Sequence, residues 1–169
     1  MASEKLNEAL NMQLKEELKS AYLYWAMAAD FEAKNQKGFA GWFKAQAGEE
    51  MIHVMKIYGF LYERLSKAEL PALEKPQASW SSPLEAFEAA LKHEKFITGC
   101  IHSLYKQAKD LGDYAGEVFL QWFVNEQVEE EANADEVVQK LQTLGNQPMA
   151  LYLLDKELGA RKPPFSLQG

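Results

Sequence analysis

Two trios of metal-seeking side chains recur at one spacing in this chain, and that repeat restricts its fold more than any other feature. Glu17, Glu50 and His53 are matched by Glu94, Gln127 and Glu130, a set displaced by 77 residues. From 17 to 50 and from 94 to 127 the interval is 33, and from 50 to 53 and 127 to 130 it is 3. A step of 3 keeps two side chains on one helical face, and two helical hairpins of equal length would carry the longer interval. Six such groups facing one another between four helices describe a two-metal site.

The apolar pattern supplies the helices. Leu10, Leu14, Glu17, Ala21, Tyr24, Ala28 and Phe31 recur at alternating steps of three and four, with no proline or glycine from Ser3 to Lys34. Phe39, Phe43, Gln46, Glu50, His53, Ile57 and Phe60 form a second stripe. Leu84, Phe87, Leu91, Glu94, Thr98, Ile101, Tyr105 and Ala108 form a third; Leu120, Phe123, Gln127, Glu130, Ala134, Val137, Leu141 and Leu144 form a fourth. Ser3 and Asp113 are expected N-caps, and Ser82-Pro83-Leu84-Glu85 has the layout of a capping box. The stripes and breaks predict helices over about 4–34, 38–65, 83–111 and 114–144, a short fifth over about 148–158, and a loose tail from about 161, in one domain spanning 1–169.

Connection lengths set the topology. The turns after the first and third helices are short and make antiparallel neighbours. About 16 residues between helices two and three, with Pro71 and Pro76 and no period, can extend about 53 Å, enough to run along a helix about 42 Å long. The expected fold is all-α: a four-helix bundle with one long crossover between helices two and three, plus a short C-terminal fifth helix.

Each of the six residues occupies a stripe position where Leu or Phe would ordinarily sit, near the middle of its helix. Buried carboxylates without partners cost several kcal/mol each. Glu17, Glu50, Glu94 and Glu130 together carry a charge that two divalent cations neutralise, and a mostly oxygen donor set with one imidazole suits iron or manganese. The net charge of -7 argues against nucleic acid as a partner and favours small cations. No run of residues reaches the roughly 18 apolar positions of a membrane span. Met1-Ala2-Ser3-Glu4-Lys5 has no apolar segment for export, and the single Cys100, a small core filler, excludes an internal disulfide; both fit a cytoplasmic location.

Gln46-Ala47-Gly48-Glu49-Glu50-Met51-Ile52-His53 and the run from Phe119 to Glu131 resemble the prokaryotic non-haem ferritins, within the ferritin-like di-iron carboxylate proteins whose Glu and Glu-x-x-His layout is a known pattern. The resemblance extends from the first helix to Leu158. It implies one iron held by Glu17, Glu50 and His53, and a second bridged by Glu50 and held by Glu94 and Glu130 with Gln127 close by. It further implies a third iron position using Glu49, Glu126 and Glu129, shared with Glu130, although Glu129-Glu130-Glu131 reads equally as a solvated acidic face. Tyr24, one stripe position beyond Ala21, would stand beside the metals as electron donor; a packed core aromatic would look the same. Trp122 reads as packing, and His93 and His102 as surface residues.

The implied activity is ferroxidase: oxidation of Fe(II) by dioxygen or hydrogen peroxide, with ferric mineral stored in a homo-oligomeric cage of 24 subunits. Tyr22, Trp25 and Ala29 form a second apolar stripe available for subunit contacts, or else pack under the crossover. Gln127 replaces the charged ligand that a symmetric site would have, which predicts a second iron passed through and not retained. Three other readings stand beside this one. Met51 directly after the bridging Glu50 is where haem-bearing bacterioferritins place their haem ligand. A di-metal peroxidase or catalase could use the same carboxylates, and a purely structural bundle could hold them as a metal-free network.

Overall fold

The computed structural model describes residues 3–164; Met1, Ala2 and the end of the expected tail, 165–169, lie outside the described part. All regular structure among these residues is α-helical: α1 (Glu4–Ala33), α2 (Lys37–Glu63), α3 (Pro83–Asp110), α4 (Tyr114–Leu144) and α5 (Pro148–Leu158). Helix α1 packs along α2 and α3 along α4, so the two hairpins are the units from which the bundle is assembled.

The helices stop where the backbone leaves the right-handed region. Asn35 (φ 58°) closes the turn between α1 and α2, and Gly112 and Gly145 take φ 63° and 59° after α3 and α4. Helix α2 ends at Glu63, short of the expected Leu65, because Leu65 itself turns left-handed at φ 58°. At the helix starts, Ser82 Oγ accepts from the Glu85 amide at 3.1 Å, but the Glu85 carboxylate returns to the Ser81 amide, one residue earlier than a capping box requires. Ser3 occupies the N-cap position without a side-chain cap; its backbone N–H donates to Asp113 instead. Asp113 caps α4 through the Gly116 amide and also receives Arg64. The Arg64 guanidinium draws the Asp113 carboxyl down to about 2. One carboxylate thus gathers the start of α1, the end of α2 and the start of α4.

Residues 64–82 hold no helix and run the length of α1. The Asn11 side chain donates to the Lys67 carbonyl at 3.0 Å and accepts from the Glu69 amide at 2.8 Å. At the far end Asp30 accepts from the Trp80 amide at 3.0 Å. Asn11 and Asp30 are separated by about 28 Å of helix at 1.5 Å per residue. The crossover does not cover the second stripe of α1: Tyr22 and Trp25 remain 43% and 46% exposed.

The apolar core is in two parts. Phe31, Phe39, Phe43, Phe87 and Leu141 centre one cluster, and Leu10, Leu14, Ile57, Ile101 and Leu120 the other. On α3 the buried face runs through Ala90, Ile97 and Leu104, one residue to the side of the expected Leu91, Thr98 and Tyr105, which are only half-buried. Helix α5 docks on the start of α2. Its Asp155 accepts from the Phe39 amide at 2.9 Å, and its carbonyl approaches Gly38 so closely that a Cβ there would lie 1.5 Å from the oxygen.

Candidate metal centre

A belt of buried polar residues separates the two apolar clusters: Gln13, Glu17 and Ser20 from α1, Gln46, Glu50 and His53 from α2, Glu94 from α3, and Gln127 and Glu130 from α4. All six residues of the sequence repeat are in it, each at most 4% exposed. They reach one level because each helix contributes from its middle and the hairpins are of similar length.

Glu17, Glu50 and His53 converge most tightly, each offering a ligand atom within 4.8 Å of the others. His53 Nδ1 lies 3.5 Å from Glu17 Oε2 and 3.3 Å from Glu50 Oε2. None of these three atoms makes a hydrogen bond, although all are buried. Beyond the ion pairing of His53 with the two carboxylates, nothing offsets the burial of these atoms, and a cation between them would satisfy all three. His53 is held edge-on against Trp122 and Phe123, at 5.4 and 5.6 Å between ring centres. Trp122 therefore packs, but it packs on a candidate ligand.

A second group joins His53 to Glu126 and Glu130, again within 4.8 Å. Glu94 belongs to neither compact group. Its carboxylate accepts from the Tyr24 hydroxyl and, at 3.2 Å, from Gln127 Nε2. Tyr24 is fully buried between Glu94 and the ring of Phe43. Of the residues expected at a third position, Glu126 meets Glu130 and His53. Glu129 is exposed, and Glu49 is turned to Arg161, outside both groups.

The electrostatics show the strain of the metal-free arrangement. Burial, then repulsion from Glu94, raises Glu50 well above the usual carboxylate range. The same two causes push Glu130 up to about 7, and burial raises Glu94. Burial would raise Glu17 as well, but His53 beside it brings it below its ordinary value. Burial opposes the charged form of His53, yet Glu17 and Glu50 hold its pKa well above the ordinary imidazole range. A divalent cation among these groups would favour their deprotonated forms, so its binding would release protons.

Several residues at this site were not anticipated. Gln13 Nε2 donates to Glu17 Oε1 at 2.8 Å, and Gln46 Nε2 donates to Glu130 Oε2. Gln13 stands one helical turn before Glu17, a spacing that could have identified it. His93 is not a surface residue: Nε2 lies 2.7 Å from Ser20 Oγ, and the ring meets Tyr24 edge-on. Burial lowers its pKa, so it is held neutral. His102 is exposed as expected. Cys100 is half-buried, and burial raises its thiol pKa, which disfavours the nucleophilic thiolate.

Residues 7–144 match the model of the ferritin-like domain. The chain is 42% identical over 161 residues to the bacterial non-heme ferritin of Staphylococcus aureus, covering 95% of this chain and 97% of that protein. It is 38% identical, with the same coverage, to the protein of that name from Staphylococcus epidermidis. Among solved structures, the open pore ferritin of the hyperthermophilic archaeon Archaeoglobus fulgidus superimposes with a TM-score of 0.94 at 46% identity, covering 96% of this chain and 100% of that one. No helix among the described residues is long and apolar enough to cross a membrane.

Proposed function

The chain belongs to the ferritin family, and from that premise we propose that it is a cytoplasmic iron-storage ferritin whose single domain oxidises Fe(II) within the bundle. The observation that carries this reading is the triad of bare, buried atoms, Glu17 Oε2, Glu50 Oε2 and His53 Nδ1, facing one another in the polar belt.

Iron is the substrate here. Glu17, Glu50 and His53 take the first Fe(II), and Glu50 also reaches the second, held by Glu94 and Glu130 with Gln127 alongside. For Glu94 to serve, its carboxylate must turn from the Tyr24 hydroxyl toward the metal, which leaves Tyr24 beside the centre, where an electron it lends to the oxidant is returned by a further Fe(II) and does not enter the net reaction. Two Fe(II), one dioxygen and four waters give two FeOOH, one hydrogen peroxide and four protons. With hydrogen peroxide as oxidant, two Fe(II) and two waters give two FeOOH and four protons. Each iron loses one electron in either case, and pairing the metals delivers both electrons together.

Protons leave the raised carboxylates and His53 as iron enters, so loading is favoured as pH rises. A third position near Glu126, Glu129, Glu130 and Glu49 receives iron on its way to the mineral. One 19.2 kDa bundle cannot enclose a mineral, and the reading therefore includes assembly into a cage of 24 copies. Exposed apolar side chains on α1 and α5, among them Tyr22, Trp25, Met149, Tyr152 and Leu153, support such contacts. Haem is not part of the reading; the curated relatives named above are called non-heme ferritins.

Size-exclusion chromatography with light scattering after aerobic Fe(II) loading tests the whole proposal. A particle near 24 subunits with an iron core is expected. A small oligomer holding about two metals per chain would point to a di-metal enzyme instead.

A further inference from the structure

Of the carboxylates assigned to a third cation position in the proposed function, Glu49 already has a cation on it. Arg161, just beyond α5, donates from Nη2 to Glu49 Oε2. Its guanidinium lies 4.5 Å from the ring centre of Trp42, which is 5% exposed. The pair is largely enclosed, at 19% exposure for the Arg161 side chain and 29% for Glu49, and Nη1 of Arg161 is buried without a partner. The expected loose tail is therefore tied at its first residue. It is tied by a docked helix: Asp155 binds the Phe39 amide, and the close approach at Gly38 fixes where α5 ends.

On the other side of Glu49 is the acidic group. Glu126, Glu130 and His53 bring ligand atoms within 4.8 Å of one another, and Glu49 stands outside that cluster. Burial raises the Glu49 pKa, Arg161 works against the rise, and the negative charges of Glu126 and Glu129 add to it. A guanidinium keeps its charge at any ordinary pH and cannot make way by losing a proton.

We propose that Arg161 is the resident counter-cation of Glu49, so that an iron ion takes up the third position only by displacing this guanidinium. The inference rests on the reading of Glu49 as a third-position ligand given above. Two consequences follow from the geometry. The third position binds more weakly than its carboxylates alone would bind, because each ion competes with a charge already present. Occupancy is also brief, because the Trp42 ring holds the displaced guanidinium beside Glu49, ready to re-pair.

Zn(II) titration calorimetry on the assembled protein tests this with Arg161→Gln, Glu49→Gln and the double variant. Relieving one partly exposed ion pair should tighten the weakest binding event about two- to fivefold. That gain should vanish in the Glu49→Gln background, as a coupled pair requires. Arg161→Lys retains the charge and should stay near the unmodified protein. Unchanged weak-event affinity in Arg161→Gln would overturn the proposal, as would an equal gain with and without Glu49. If Arg161→Gln only lowered the melting temperature, Arg161 would be a staple for α5 and the proposal would fall with the metal centre intact. Loss of every Zn(II) binding event in the unmodified protein would instead remove the metal-centre reading, and this inference with it.

Discussion

Gln13 holds one oxygen of Glu17 and leaves the other free: Nε2 donates to Oε1 at 2.8 Å, while Oε2 stands bare before His53. Amides also reach two other carboxylates: Gln46 donates to one oxygen of Glu130, and Gln127 to one oxygen of Glu94, whose other oxygen accepts from the Tyr24 hydroxyl. A neutral amide can orient a carboxylate without cancelling the charge that attracts a cation. Glu50, the bridging residue of the proposed function, receives no glutamine among the described residues.

Gln13→Met keeps the length of the side chain and removes the donor. Glu17 Oε1 then becomes a buried acceptor without a partner, and the metal-free protein should lose about 1–3 kcal/mol. Its carboxylate is also free to rotate, so the first Zn(II) should bind about tenfold more weakly. Thermal melting and calorimetric titration check the two effects separately. An unaltered first binding event would show that Glu17 is oriented by its helix alone.

Gln127→Glu tests why one ligand of the repeat is uncharged. The amide loses its donation to Glu94, and a fifth carboxylate joins the belt. The second metal should then be retained and iron turnover slowed several-fold, read by stopped-flow oxidation followed by iron release into a chelator. Exchange at the unmodified rate would count against the idea that a neutral residue here lets iron pass through.

The pH dependence of the metal-free protein follows from Glu130. Its folded pKa of about 7 exceeds the ordinary 4.5, so the folded state holds a proton that the unfolded chain releases. That contribution is complete below about 4.5 and is lost as pH rises through about 7, on the order of 3 kcal/mol. Glu50, Glu94 and His53 are raised and act in the same direction; Glu17, lowered, opposes them. Melting of the metal-free protein should therefore fall between mildly acid and neutral pH, and added Zn(II) should restore it most at the upper end. A flat profile across that window would mean the carboxylates find other partners. At the acid extreme Asp113, drawn down to about 2, has the opposite sign, and its contribution disappears as pH falls.

Leu65 sits at φ 58° with 97% of its surface exposed, so its side chain gains nothing from a conformation that suits glycine. Leu65→Gly should raise stability by about 1 kcal/mol, measured by urea unfolding with an unchanged slope. A loss of stability would show that the leucine contributes through contacts made only in the assembled particle.

Much of this molecule can be read from residue order because its helices are long and their stripes continuous. Glu17, Glu50, His53, Glu94, Gln127 and Glu130 stand out as polar groups in apolar positions, and their common level follows from equal hairpins. Where the reading faltered, the cause was a contact between distant segments. Arg161 meets Glu49 across 112 positions of chain and His93 meets Ser20 across 73, and no periodicity reports such encounters. On α3 the expected Phe87, Glu94, Ile101 and Ala108 are buried, while Leu91, Thr98 and Tyr105 between them are half-buried and Ala90, Ile97 and Leu104 take the inner positions. Ser3 takes the expected N-cap position, but the bond it makes there is its backbone amide to Asp113, the residue that also anchors Arg64, and not a side-chain cap.

The strand of chain pinned at Asn11 and Asp30 acts as a ruler for the centre it never touches. Each hairpin carries half of the ligands, and its own turn says nothing about how far it slides past the other. A slip of one helical turn would move Glu94 and Glu130 by about 5.4 Å relative to Glu17 and Glu50. The group of His53, Glu126 and Glu130 would come apart, because it spans the two hairpins and its ligand atoms lie within 4.8 Å of one another, whereas Glu17, Glu50 and His53 would stay together within the first. Shortening the crossover by a few residues should therefore abolish iron oxidation while leaving both hairpins helical.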